Sequence, residues 1–359
     1  MATATPYFHQ LLYPVANLPQ RAISRLWLAF EYLAVIIMVV LALFMVSTRR
    51  NKTVVLLTGL LFLFTSAWTR HVWQGQMYIF VSLFAMLFYF FLTRSPSVLN
   101  ASLAAIFAVS MILIRPTAGL FFLPFLLLIC RFPRRYLLSF FISALVIFFL
   151  AFGSSMSRVY WSDYRKALVE HIKLHQGMEL GSVRYEPDPE FPFWEGWDME
   201  QVKKDSRAFK YTEGSENGNI FVLIKVALKK KFPLWALYTA GLVFMAVIFF
   251  LFLKKYYPAK AITIYNVALA GFCIYMASDI FAPIHRFNYN TTQWIFPLLL
   301  IASHRPPSFK KVYYVGIMAG FLLNSVPFLF LPMQRTLGEY VVYACIVGSL
   351  LHTKPKSIL

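Results

Sequence analysis

Acidic residues are scarce in this sequence, and their placement is uneven. Fifteen Asp and Glu stand against 34 Lys and Arg, for a net charge of +19. All the acids except Glu31, Asp279 and Glu339 fall in the window 153–232. That window is nearly neutral, so the positive excess lies in the short segments between apolar runs, where it sets membrane topology. This distribution argues against a nucleic-acid partner, which a soluble chain of such charge would suggest. Cysteine is also sparse. Cys130, Cys273 and Cys345 each lie within or at the end of an apolar run, which excludes a disulfide framework and a cysteine metal site. The sequence has no dinucleotide-binding glycine pattern, no P-loop, no Gly-x-Ser-x-Gly and no His-Glu-x-x-His, so no cofactor is expected. His171 and His175 are spaced to share a helix face, but no third ligand stands near them and no metal is expected. Residues 1–22 lack the basic-then-apolar layout of a cleavable signal.

Apolar residues make up 59% of the 359, and they come in runs that match the roughly 20 residues needed to cross a bilayer. Eleven runs are expected to span: Leu26–Val46, Thr53–Trp68, Met77–Leu92, Leu99–Ile114, Thr117–Cys130, Leu137–Phe152, Pro233–Leu253, Ile262–Ile280, Thr292–Ser303, Val312–Leu331 and Leu337–Leu351. The expected fold is an all-α polytopic membrane protein with three regions. Residues 1–152 and 233–359 form transmembrane regions of about six and five spans, and 153–232 an extracytoplasmic loop subdomain. Alternate corners carry Arg49/Arg50/Lys52, Arg94, Arg131/Arg134/Arg135, Lys254/Lys255/Lys260, Arg305/Lys310/Lys311 and Lys354/Lys356. These belong on the cytoplasmic side, which puts the C-terminus inside and the N-terminus outside. Trp68, Trp73, Trp235 and Trp294 fall at the outer interface, as an aromatic belt would. In the loop region, Arg158–Gln176 reads as an amphipathic surface helix with Tyr160, Tyr164, Leu168, Ile172 and His175 on one face. The proline-rich stretch Tyr185–Trp197 reads as an ordered loop, and Ile220–Lys231 as a second amphipathic segment.

The remaining corners hold the chemistry. Arg70, His71, Arg115, Arg286 and the run Lys229, Lys230 and Lys231 all fall at one membrane face. Several cations at one interface suit an anionic lipid headgroup such as a polyprenyl phosphate, and equally bulk phospholipid. A carboxylate at that face is a candidate general base toward a sugar hydroxyl. Asp279 is the first candidate, because Arg286, Asn288 and Tyr289 follow it closely, and Asp163 of the loop region is the second. Glu31 is expected to be an ion-pair partner of an arginine. Asn290-Thr291-Thr292 forms a glycosylation sequon. Repeated halves of the carrier kind are absent, which ranks a secondary transporter last.

Five stretches carry a resemblance. Gly75-Gln76 opens one span, Arg115-Pro116 closes another, and Arg131-Phe132-Pro133-Arg134-Arg135 ends the next. Tyr7–Pro19 precedes a Trp-containing helix, and Arg286-Phe287-Asn288-Tyr289 is followed by Pro297. In this order they resemble glycosyltransferase family 87, of the GT-C superfamily. The resemblance implies a GT-C-like helical bundle that uses a polyprenyl-phosphate sugar donor, typically of mannose, and a lipid or glycan acceptor at the outer face of a bacterial plasma membrane. It further implies that Arg115, Arg286 and Lys229–Lys231 hold the donor phosphate, and that Arg70, His71, Gln76, Tyr78, Asn288 and Tyr289 line the substrates. Three positions depart from the family pattern: Tyr78 stands for a usual Asn, Arg115 for a usual Lys and Asn288 for a usual His. The family's first helix and acid-bearing outer loop have no counterpart here, since residues 1–30 hold no acid. Three explanations stand: a shortened reading frame, a partner chain that supplies that loop, or a relative without activity. The competing classes are a non-catalytic membrane subunit and a flippase for lipid-linked sugars.

Overall fold

The structure, a computed structural model, describes residues 5–46, 48–177, 198, 200, 218–220, 223–224, 228, 233–258, 261–282, 286–304, 311–326 and 333–352. Among these residues there is no strand, and the protein is all-α. The helices are α1 (Pro6–Leu12), α2 (Gln20–Phe44), α3 (Arg49–Leu63), α4 (Ser66–Gln74), α5 (Tyr78–Leu92), α6 (Val98–Ile114), α7 (Arg134–Phe152) and α8 (Ser155–Gly177). They continue with α9 (Leu234–Tyr256), α10 (Ile264–Ile280), α11 (Ile295–His304), α12 (Lys311–Ser325) and α13 (Gln334–His352). Tighter 3₁₀ turns form Tyr13–Val15, Pro116–Arg131 and Asn288–Trp294.

Local chemistry sets many of these boundaries. Thr48, Thr65, Ser97 and Thr263 cap α3, α4, α6 and α10 by accepting a backbone N–H with the side-chain oxygen, which satisfies an orphan donor of the first turn. Pro19, Pro133 and Pro233 stand immediately before α2, α7 and α9, where a fixed φ and a missing N–H cost least. Helix α10 is buried on every side from Val267 to Ala277, as a helix without a polar face must be. It is the axis of the bundle. The 3₁₀ run Pro116–Arg131 lies tight against it, so close at Gly271 that a Cβ there would lie 2.1 Å from the Phe121 carbonyl oxygen.

The outer helices turn apolar residues outward. Ile36 on α2, Leu145 and Phe149 on α7, Leu242 and Phe250 on α9 and Val315 on α12 are all exposed, which fits a bundle solvated by lipid rather than water. Helices α2, α7 and α9 are long and apolar enough to cross a membrane, and α3 with α4 makes a fourth if that pair, bent by 57°, is one span. Helices α5, α6 and α10 and the run Pro116–Arg131 are apolar but shorter. Each of the eleven expected runs thus holds helix, yet among the described residues only three or four are both long and apolar enough to span. The second run breaks where it was expected to continue: Thr65 caps a new helix, and Trp68, expected at the interface, is buried inside it.

Helix α8 forms as expected, with a small rotation of its face. Trp161, Tyr164, Ala167, Leu168 and Ile172 are its less exposed positions, while Tyr160 points outward. The Trp161 ring packs 4.8 Å from Phe152 at the end of α7, and a hydrogen bond of 3.0 Å from Gln10 to Ser157 ties α8 to α1. The side chains of His171 and His175, the stretch Tyr185–Trp197 and Lys229–Lys231 lie outside the described residues.

Candidate functional site

The C-terminal ends of α4, α6 and α10 and the N-terminal ends of α5 and α13 meet at one end of the bundle, joined by charged side chains. The geometry begins at Arg115. Pro116 forces the residue before it out of helical conformation, so α6 stops at Ile114 and Arg115 is extended, with φ −138° and ψ 97°. Its side chain thereby leaves α6 and reaches Asp279 in the last turn of α10. Asp279 takes a second guanidinium on its other oxygen, from Arg286 Nε at 2.6 Å. Arg286 then turns its NH1 to Glu339 in the first turns of α13, and the indole N–H of Trp294 donates to the other Glu339 oxygen at 2.6 Å. Two cations and two anions alternate along this chain.

Such a set is tolerable at low dielectric because each charge meets its opposite and each carboxylate oxygen has a donor. Arg286, Asp279 and Glu339 are almost wholly buried, whereas Arg115 keeps 18% of its side chain exposed. Gly218 closes over the pair. Its N–H donates to the Arg286 carbonyl, and a Cβ there would stand 2.7 Å from Glu339 and 2.8 Å from Arg286 NH1.

Aromatic rings form the open side of Arg115. The guanidinium lies 4.8 Å from the centre of the Tyr78 ring, Tyr78 stacks on Tyr289 at 5.6 Å, and Tyr289 on Phe287 at 5.4 Å. Stacking a guanidinium on a ring face favours the cation. Tyr164 of α8 packs edge-on against Trp161; burial raises its phenol above the ordinary value, against the opposing pull of the Arg115 charge. Asn288 donates to Ser66 at 2.9 Å, while its own Oδ1 is buried without a hydrogen-bond partner.

A second polar pair supports the start of α5. Helix α4 ends in a Schellman turn: Gly75, at φ 59°, donates to Val72 and Gln76 donates to His71. The chain then doubles back so that His71 Nε2 accepts the Ile79 N–H at 3.2 Å, and His71 Nδ1 lies 3.0 Å from Glu31. Nε2 is the acceptor toward Ile79, whereas Nδ1 lies close to Glu31 without the alignment of a hydrogen bond. Glu31 pairs with a histidine here, not with an arginine as expected.

Of the residues singled out in the sequence, Arg115, Asp279, Arg286, Tyr78 and Tyr289 converge, with Asn288 and the α4–α5 turn of His71 and Gln76 beside them. Arg70 is half-buried on α4, one residue before His71. Asp163 sits on the outer face of α8, 60% exposed and 3.5 Å from Lys166. Trp294, Tyr164 and Gly218 are site residues that sequence reasoning did not find, and Glu339 stood out there only as one of the three acids outside the window 153–232. Trp294, assigned to the interfacial belt, is buried, while Trp73 and Trp235 are exposed. Asn290 of the sequon is buried too, which removes it as a surface glycosylation site. No group of three metal-ligating side chains occurs among the described residues.

Residues 3–179 match the family model of glycosyltransferase family 87. No curated protein and no solved structure matches the chain. The family 87 region holds α1 to α8, and so contributes His71, Tyr78, Arg115, Asp163 and Tyr164 to this end of the bundle. Asp279, Arg286, Trp294 and Glu339 come from the chain beyond it, and the Arg115–Asp279 pair joins the two halves.

Proposed function

We propose that this protein is a membrane glycosyltransferase that moves a hexose, mannose in the first instance, from a polyprenyl-phosphate donor to a lipid or glycan acceptor at the outer membrane face. The observation that carries the reading is Arg115: a partly exposed cationic side chain in the matched region, locked by Asp279 and lying over Tyr78. Its Nε is buried without a hydrogen-bond partner, a donor that a phosphate oxygen would satisfy once the rings beside it give way. In the displacement, the bond from the sugar's anomeric carbon to the phosphate oxygen breaks as the bond from the acceptor oxygen forms. The departing phosphate carries its charge onto Arg115, and the acceptor proton goes to a base. Arg286 is buried between Asp279 and Glu339, so it serves the phosphate by fixing Asp279 and thereby Arg115.

Asp163 is the base this reading favours. Both oxygens of Asp279 already accept from guanidinium groups, and both oxygens of Glu339 are also occupied. Asp163 lies on the exposed face of α8 with Lys166 at 3.5 Å, so it would serve an acceptor that approaches from the medium. Proteoliposomes supplied with a radiolabelled polyprenyl-phosphate mannose test the assignment. Label should appear in an acceptor lipid or glycan with the native protein, and not with Arg115→Gln.

The full pairing of Asp279 and Glu339 favours a second reading, in which the network is structural and the protein only moves or binds lipid-linked sugar. In that case label crosses the bilayer while still attached to the polyprenyl phosphate, and Asp163→Asn has no effect.

A further inference from the structure

The opposite end of the bundle carries a site of its own, where α7 begins. Pro133 precedes the helix without offering a side-chain cap, so the first amides of α7 point out of the helix without intrahelical partners. Arg131, Arg134 and Arg135 are exposed around that helix start. Arg131 is held in place by a 2.6 Å hydrogen bond to the Ile262 carbonyl. Three guanidinium groups and the positive end of a helix dipole make this a site for an anion.

A groove of about 380 Å³ leads from there along α7, walled by α5, α6 and the run Pro116–Arg131. Its walls are almost purely apolar, with Leu92, Phe125, Ile129, Phe140 and Phe148 among them. From Tyr136 to Phe148 the groove follows α7 for about 18 Å at 1.5 Å per residue, which is about the reach of one leaflet's chain in a hydrocarbon core of about 30 Å. One polar group interrupts the apolar wall. Tyr136, in the first turn of α7, is 4% exposed and stacked on Phe132 at 5.0 Å, and its hydroxyl has no hydrogen-bond partner. A buried phenol rarely stays unpaired in a native structure.

We infer that this groove holds one anionic phospholipid. The headgroup phosphate sits on Arg131, Arg134, Arg135 and the first amides of α7, one acyl chain lies in the groove, and the Tyr136 hydroxyl donates to the ester carbonyl. The order along the groove fits that molecule from end to end: charge, then a single donor, then a purely apolar channel. A polyprenyl chain has no acceptor below its phosphate to meet Tyr136. A zwitterionic lipid brings its own cation to the arginines.

The test uses the full chain purified in a mild detergent, with native mass spectrometry and thermal unfolding as readouts. Phosphatidylglycerol is expected to remain bound as a discrete adduct and to raise the unfolding midpoint. Phosphatidylcholine and inorganic phosphate are expected to do neither. Arg134→Gln with Arg135→Gln should weaken phosphatidylglycerol binding about tenfold or more, and Tyr136→Phe should weaken it further without changing the unfolding midpoint of the lipid-free protein. Ala144→Phe, which fills the channel, should abolish the adduct while leaving the exposed arginines intact. Equal stabilisation by phosphatidylcholine, or unchanged binding in the arginine variant, would overturn the inference. So would displacement of phosphatidylglycerol by an equal amount of polyprenyl phosphate, which would give the groove to the glycosyl donor. The site lies at the far end from Arg115, so failure here leaves the glycosyltransferase reading untouched.

Discussion

Trp294 donates its indole N–H to Glu339 at 2.6 Å, and the carboxylate that Arg286 shares is thereby held on both oxygens. This contact crosses from the segment leading into α11 to the first turns of α13, so it also fixes how those elements meet. Because Arg286 grips Asp279 as well, the position of Arg115 depends on a tryptophan that makes no contact with Arg115 itself. The network transmits position through paired charges, each of which would be costly if left alone.

Glu339→Gln keeps the shape of the side chain and an oxygen for Trp294, but leaves Arg286 with one carboxylate in place of two. Breaking a buried pair on one side costs about 3–5 kcal/mol, and the unfolding midpoint in detergent should fall clearly. Replacing both partners, Arg286→Met with Glu339→Met, leaves Arg115 and Asp279 as a balanced pair. That double variant should unfold at a higher temperature than either single one. If the two losses simply add, the charges do not act as a chain.

The His71 imidazole makes a different kind of link. It accepts the Ile79 N–H, one of the donors that the start of α5 cannot satisfy within the helix, and it lies against the Glu31 carboxylate. His71→Ala strands both at once, and a loss of about 1–3 kcal/mol is expected. Hydrogen exchange should show the first turn of α5 opening more readily, while the far end of α5 stays protected. An even loss of protection along α5 would count against this role.

Gly75 sits at φ 59°, in the left-handed region, and completes the turn that brings His71 back to α5. A Cβ there would meet nothing closer than Trp27 at 3.5 Å. The penalty for Gly75→Ala is therefore conformational, about 1–2 kcal/mol, and Gly75→Asn should cost less because Asn tolerates this region better. The ordering of the two variants in thermal unfolding decides whether backbone or crowding matters.

Much of the fold was legible because apolar runs report burial or lipid directly. The amphipathic α8 and the corners at Gly75 and Arg115 follow from local rules, a glycine at a helix end and a proline after an arginine. The charge partners were not legible. Arg115 and Asp279 are 164 positions apart, and Arg286 and Glu339 are 53 apart, so no local pattern links them. A rule that places every tryptophan at an interface also misses Trp294, whose indole serves a buried carboxylate. Glu339 stood out by its rarity, as a lone acid in an apolar run that needs a partner, but no local pattern named that partner.

Arg115 is where the functional proposal can be examined most sharply. Arg115→Lys keeps the charge but loses the planar group that bonds Asp279 while lying over Tyr78, and an ammonium cannot reproduce that geometry. If Arg115 stabilises a departing phosphate, removing this donor should lower turnover by about 100- to 1,000-fold, with Arg115→Lys between native and Arg115→Gln. Tyr164→Phe removes one hydroxyl at the rim and should cost about tenfold, seen mainly as a higher KM for the donor. The thermal unfolding midpoint separates this from a folding effect. Tyr164→Phe leaves every ring contact in place, so its midpoint should match the native protein. Arg115→Gln strands Asp279 on one oxygen and should unfold earlier. A Tyr164→Phe protein of native stability and native KM would mean that the donor does not pass between α8 and Arg115.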